Sequence, residues 1–130
     1  MAAQETKELV AKIVQILDDK KGNDIRIINI HDLTVIADYF VIVNGTSVTQ
    51  VRALSDELEY QMKEKYGVTV DHIEGYGPMN WVLMDFGGVV VHVFLKETRQ
   101  FYNLERLWAD GEEVPLSDFV QIRQERGQTQ

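Results

Sequence analysis

The sequence predicts an α+β fold: one mixed β-sheet of about five strands, with helices packed mainly on one of its faces. Three observations carry this. Two apolar runs, Trp81 to Phe86 and Val89 to Leu95, flank Gly87-Gly88, a pair that supplies the positive φ a two-residue hairpin turn demands. Asp38-Tyr39-Phe40-Val41-Ile42-Val43 is apolar on both faces after its first residue, as a central, covered strand is. Helical spacing recurs outside the strands, at Leu9, Ile13, Ile16 and Leu17, and again at Val51, Leu54, Leu58 and Met62.

Taken in order, the first helix spans about Glu5 to Lys21, with Lys20 and Lys21 at its negative end and Gly22 as its cap. Asp24 to Ile30 alternates enough for a strand with a polar edge, and His31-Asp32-Leu33-Thr34 makes a short helical turn before the central strand. Asn44-Gly45 breaks that strand. Ser47 opens the second helix through a capping box, its hydroxyl reaching forward while Gln50 reaches back, and Gly67 ends the helix beside Tyr66. Val68 to Ile73 is a further strand, with Val68, Val70 and His72 on one face. After the hairpin, Lys96 to Trp108 turns helical, with Phe101, Leu104 and Trp108 at spacings of three and four. Residues 1–108 form a single domain. Residues 109–130 are an acidic and polar extension, partly disordered, with a frayed tail from Arg123 to Gln130.

With Gly87 and Gly88 as the turn, the hairpin pairs Phe86 with Val89, Asp85 with Val90, Met84 with Val91, Leu83 with His92, Val82 with Val93 and Trp81 with Phe94. Its side chains then separate onto two faces. Val82, Met84, Phe86, Val89, Val91 and Val93 make a wholly apolar core face. Trp81, Leu83, Asp85, Val90, His92 and Phe94 make the other, in which large aromatics mix with an acid and an imidazole. Two readings of this second face stay open: a second helical layer makes it core, or it is a docking surface. Asp85 and His92 favour docking, because a polar group buried without a partner costs on the order of several kcal/mol. So short a chain also has few helices for two covers.

At 130 residues and 45% hydrophobic, the chain is one domain able to bury roughly two thirds of its unfolded surface. The absence of cysteine excludes a disulfide framework, thiolate catalysis and thiolate metal sites. No apolar run approaches the roughly twenty residues of a membrane span, and MAAQETKELV has neither the order of a secretory signal nor the bias of a transit peptide. The expectation is a cytoplasmic protein with no membrane partner. A net charge of −8 argues against gripping nucleic-acid phosphates directly and suits a basic partner.

Several motifs fail on context. Asp85-Phe86-Gly87 spells the kinase magnesium motif but lacks the glycine-rich and catalytic loops around it. Gly75-Tyr76-Gly77 lacks the third glycine of a dinucleotide fingerprint and leads through Pro78 into a strand. His31, His72 and His92 are not spaced as ligands on one helix, and His72 with Glu74 on one strand face makes too few donors for a metal. Val43-Asn44-Gly45-Thr46-Ser47 has the strand, small-residue loop and helix with which nucleotidyltransferases open their active site. Those enzymes need two or three carboxylates on the next strand to hold magnesium. Here Asp71 stands alone, with Glu74 three residues on and facing away. The pattern points to an inactive relative of that fold.

Ala37-Asp38-Tyr39-Phe40-Val41-Ile42 followed by Gly45-Thr46-Ser47 and Gln50-Val51, then Glu74-Gly75, Trp81-Val82-Leu83-Met84-Asp85 and Val91-His92-Val93-Phe94, and finally Arg99 with Phe101-Tyr102, Leu104-Glu105 and Leu107-Trp108, resemble the ribosomal silencing factor, or Iojap-like, family. The resemblance spans about Leu9 to Trp108. It departs at Gly88, where many relatives carry an acid, and in the acidic tail. It implies an α+β fold akin to nucleotidyltransferases without their chemistry. It also implies a role: binding the fourteenth protein of the large ribosomal subunit at the subunit-joining face, blocking association with the small subunit, and repressing translation when nutrients run short.

Such a role needs a docking face and no catalytic group, cofactor or metal. Trp81, Leu83, Asp85, His92 and Phe94 are family-motif positions, and the hairpin pairing makes them the expected partner-binding residues, joined by Tyr102 and Glu105. Apolar anchors rimmed by Asp85 and His92 have the makeup of an interaction hot spot. A free copy is expected to pair with a second through an exposed apolar face. The alternative is a nucleotide-binding protein, degenerate or active, of nucleotidyltransferase-like fold and using Thr46 and Ser47.

Overall fold

The computed structural model describes residues 3–118. Along the chain these form α1 (Ala3–Asp19), β1 (Asn23–Asn29), β2 (Tyr39–Gly45), α2 (Val48–Tyr66), β3 (His72–Glu74), β4 (Trp81–Asp85), β5 (Val89–Leu95), α3 (Lys96–Tyr102), α4 (Leu104–Leu107) and β6 (Glu112–Val114), then a 3-10 turn at Leu116–Asp118. The strands make one sheet in the order β3-β4-β5-β2-β1-β6. β2 and β5 run parallel, and every other neighbouring pair is antiparallel. The α+β architecture and mixed sheet are those the sequence predicts, with one strand more than expected.

The hairpin register agrees with the sequence reading from Trp81↔Phe94 to Asp85↔Val90. Phe86 N donates to Val89 O at 2.9 Å and closes the turn. Of the two turn glycines only Gly87 takes a positive φ, 93°, so the left-handed conformation that glycine allows is needed at the first turn position alone. Val82, Met84, Phe86, Val89, Val91 and Val93 are all buried in the larger core, against Leu9, Ile13 and Leu17 of α1 and Leu54, Leu58 and Met62 of α2. Strand β2 is buried along its whole length, because it lies between β5 and β1 with side chains packed on both faces.

Helix boundaries differ from expectation where local geometry overrides pattern. The left-handed residue that ends α1 is Lys21, at φ 64°. Gly22 instead donates its N–H to Leu17 O at 2.8 Å, completing a Schellman-type cap. In α2, Ser47 Oγ accepts from Gln50 N at 3.1 Å as expected, whereas Gln50 Oε1 reaches one residue further back, to Thr46 N at 2.7 Å.

The stretch from Val68 to Ile73 becomes a strand only from His72. Val68, Val70 and Ile73 all pack on the larger core, so the expected two-face alternation does not hold there. The single helix expected over Lys96 to Trp108 is two, broken at Asn103 with φ 50°. Asn tolerates that conformation better than other side-chain-bearing residues. The break leaves Phe101 exposed while Leu104 is buried. Beyond Trp108, Glu112–Val114 pairs with β1 as the sixth strand, with Ile27 opposite Val114. The tail expected to fray from Arg123 onward lies outside the described residues.

Candidate docking face

Helices α3 and α4 lie on the second face of the sheet and cover only part of it. Leu104 and Trp108 pack with Ile28, Phe40, Ile42 and Phe94 in a smaller core, and the Trp108 ring meets Phe40 edge-on at 5.0 Å. The aromatic face therefore divides residue by residue. Val90, His92 and Phe94 are buried, while Trp81, Leu83 and Asp85 are half-buried along β4. His92 and Phe94 thus stand beneath the surface that Trp81 and Leu83 present.

The polar atoms of this face follow from that burial. Trp81 Nε1 donates to His92 Nδ1 at 3.1 Å. Because Nδ1 accepts, the neutral ring carries its proton on Nε2. That atom has no hydrogen-bond partner among the described residues, and the Phe40 ring stands edge-on to the imidazole at 4.6 Å. Burial pushes the His92 pKa down to about 4, so the ring stays neutral near pH 7. The indole of Trp81 is also flanked by Phe94 at 4.8 Å and Tyr102 at 4.9 Å. Held on three sides, it has little rotamer freedom left to lose on binding.

Trp81, Leu83 and Tyr102 line an open cleft of about 360 Å³ with Glu74, Asn80 and Thr98. Gly75 borders it at φ 83°, where a Cβ would collide with the Trp81 carbonyl oxygen. No other residue fits there. Asp85 lies at the far end of β4, its Oδ1 accepting from Gly87 N at 2.8 Å. His72 and Glu74 share a face of β3 and pair at 2.9 Å in the open.

Glu105 is not part of this cleft. Its Oε2 accepts from Arg99 Nε at 3.2 Å and lies 3.1 Å from Nη2. The buried Arg99 also donates from Nη1 to Asp24 O and to Asn44 Oδ1, each at 2.8 Å. One guanidinium thus fastens α3 and α4 to β1 and β2. These groups line a polar cleft of about 630 Å³ that also includes Thr46 and Lys96, beyond the carboxyl ends of the parallel strands.

A nucleotidyltransferase-like site would fall there, yet its carboxylates are committed: Asp24 to Arg26 and Arg99, Glu105 to Arg99. Asp71 is at the other end of the sheet, bonded through its N–H to Asp85 O at 2.8 Å, whereas Gly45 pairs with Leu95. A seven-residue strand separates them, roughly 20 Å. Among the described residues, no group of three or more His, Asp or Glu stands where it could hold a metal ion.

Sequence reasoning missed two features. Arg99 appeared only as a motif position, because its partners come from residues 24, 44 and 105. Leu33, Val35 and Ile36 project into solvent between β1 and β2. The apolar run Val35-Ile36-Ala37, next to a polar turn and outside any strand, was the available signal.

Fold and site together define an α+β protein that presents a half-covered aromatic face braced from below. Residues 3–130 match the profile of the family described as ribosomal silencing factor during starvation. The chain is 40% identical over 114 residues to ribosomal silencing factor RsfS of Halalkalibacterium halodurans, covering 88% of this chain and 97% of that one. It is 45% identical over 101 residues to RsfS of Bacillus subtilis, covering 78% and 82%. A crystal structure of a Chromobacterium violaceum protein superposes with a TM-score of 0.74 at 33% identity, over 97% of this chain and 99% of that one. The chain belongs to the ribosomal silencing factor family, whose name marks its members as regulators of translation. No helix among the described residues is long and apolar enough to cross a membrane.

Proposed function

We propose that this protein represses translation in the cytoplasm by docking on the large ribosomal subunit, through the basic fourteenth protein of that subunit, and blocking the small subunit from joining. The observation that carries this reading is Trp81, half-buried and held in place by His92, Phe94 and Tyr102 beside an open cleft. A rigid aromatic at a pocket's edge is the usual form of a binding hot spot. Obstruction needs no reaction centre, and the committed state of Asp24 and Glu105 agrees with that. The net charge of −8 steers the chain toward a basic protein and away from ribosomal RNA. Free of the ribosome, two copies pair through the same strip.

The test is cosedimentation with purified large subunits. Trp81→Ala is expected to weaken binding by roughly thirtyfold, the equivalent of about 2 kcal/mol, and to release the block on subunit joining followed by light scattering. Wild-type binding by Trp81→Ala would place the docking surface elsewhere.

A further inference from the structure

The loop between β1 and β2 is ordered by its own hydrogen bonds, yet it carries apolar side chains outward. Leu33 N and Thr34 N both donate to Ile30 O, at 2.9 and 3.2 Å, and Ile30 N donates to Asp38 O at 2.9 Å. Ile36 N donates to Thr34 Oγ1 at 3.2 Å. At its base, Asp38 binds His31 Nδ1 at 2.6 Å and the hydroxyl of buried Thr6 at 3.3 Å. Ile30 and Ala37 are buried in the smaller core, on the aromatic side of the sheet. Between them, Val35 is wholly exposed, Ile36 66% exposed and Leu33 44% exposed. A loop held this firmly with three aliphatic side chains in water presents a surface to something.

The surrounding charge says what. Asp38 N donates to Gly88 O at 2.8 Å, which places the loop's base at the hairpin turn. Asp85 binds Gly87 N, and the Asp71 carboxylate lies beside Gly87. Asp32 shares a recess with Asp38, His31 and Lys7. Four carboxylates against two bases therefore gather about the loop's base and the adjoining hairpin turn, below the apolar tip. An anionic lipid surface is repelled here, and a second copy of this chain, which pairs through the Trp81 strip, meets like charge at this loop and leaves it uncovered.

We infer that Leu33, Val35 and Ile36 form a second anchor of the docking surface, seated on an apolar patch framed by lysines and arginines on a large-subunit ribosomal protein. This rests on the large-subunit reading above and extends the contact from Trp81 along β4, past Leu83 and Asp85, to the loop.

The experiment uses the full chain, purified large subunits and cosedimentation at low and high salt, with thermal melting as the control. A Val35→Ser, Ile36→Ser double variant is expected to bind roughly tenfold more weakly with its melting temperature unchanged. Asp32→Lys is expected to weaken binding at low salt, with the deficit narrowing as salt rises. Wild-type binding by both variants, while Trp81→Ala loses binding, overturns the loop anchor and leaves the docking reading standing. Failure of the wild-type chain to sediment with large subunits overturns both.

Discussion

The two faces of one sheet bury comparable strands by different means. On the α1 and α2 face, mainly aliphatic side chains from both helices and from β2, β4 and β5 close over one another, and a polar group such as the Ser55 hydroxyl is satisfied locally, by Val51 O. On the α3 and α4 face, coverage is partial, aromatic rings stand at angles, and the cap is tied down by Arg99. The first face stabilises by area removed from water. The second depends on a few polar partners being present, and its uncovered remainder is available to another molecule. A substitution on the first face should therefore act through stability, whereas one on the second acts through binding or through a specific bond.

The sharpest way to break this comparison is Val91→Asp. Val91 is fully buried, and an unpaired carboxylate there costs several kcal/mol, on the order of the whole stability of a small domain. The variant should fail to give a cooperative melt. A well-folded Val91→Asp would mean that the supposed core face is not closed.

Arg99→Ala tests the cap. It leaves Glu105 without its charge partner and strips Asn44 Oδ1 and Asp24 O of a donor. Glu105 keeps partial access to solvent, so the loss comes mainly from the two acceptors left unsatisfied, about 2–4 kcal/mol, measurable by denaturant unfolding. An unchanged midpoint would show that α3 and α4 are held by Leu104 and Trp108 alone.

The third effect is read by pH. His92 is held neutral in the fold, its pKa lowered to about 4 by burial, while an unfolded histidine takes up a proton near 6.5. Between those values the unfolded state binds more protons, so stability falls as pH falls through that window, by roughly 3 kcal/mol in all. His31 has the opposite sign. Its hydrogen bond to Asp38, and then that carboxylate's charge, raise its pKa, so its contribution is complete below 6.5 and is lost as pH rises through the folded value. Comparison of His92→Phe with wild type from pH 7 to 4 isolates the buried ring: the variant should lose less stability in acid. Parallel curves would mean that His92 is protonated in the fold.

The hairpin, its register and the closed face were legible in the sequence because a glycine turn and a period of two leave little choice once apolar residues occupy every second position. The break at Asn103 was not, since Phe101, Leu104 and Trp108 keep helical spacing across it and a single left-handed Asn leaves no mark on the pattern. Strand β6 was equally silent: Glu112 and Glu113 are exposed, and the strand joins β1 through the backbone and through an ion pair from Arg26 to Glu113, 87 residues apart. Trp81, Leu83 and Tyr102 were readable as one surface because alternation put the first two on the same side of β4. Glu105 was misjoined to them because nothing local reveals that it turns inward to Arg99.

Both outer strands of the sheet, β3 and β6, are only three residues long. Their side chains include His72 and Glu74 on one edge and Glu112 and Glu113 on the other, all exposed. Such borders offer an incoming strand almost no ladder, and exposed charged side chains line both. Edge-to-edge joining of two sheets is thereby discouraged among the described residues. The open ground between the edges is the half-covered face, where contact is made by side chains and not by main-chain pairing.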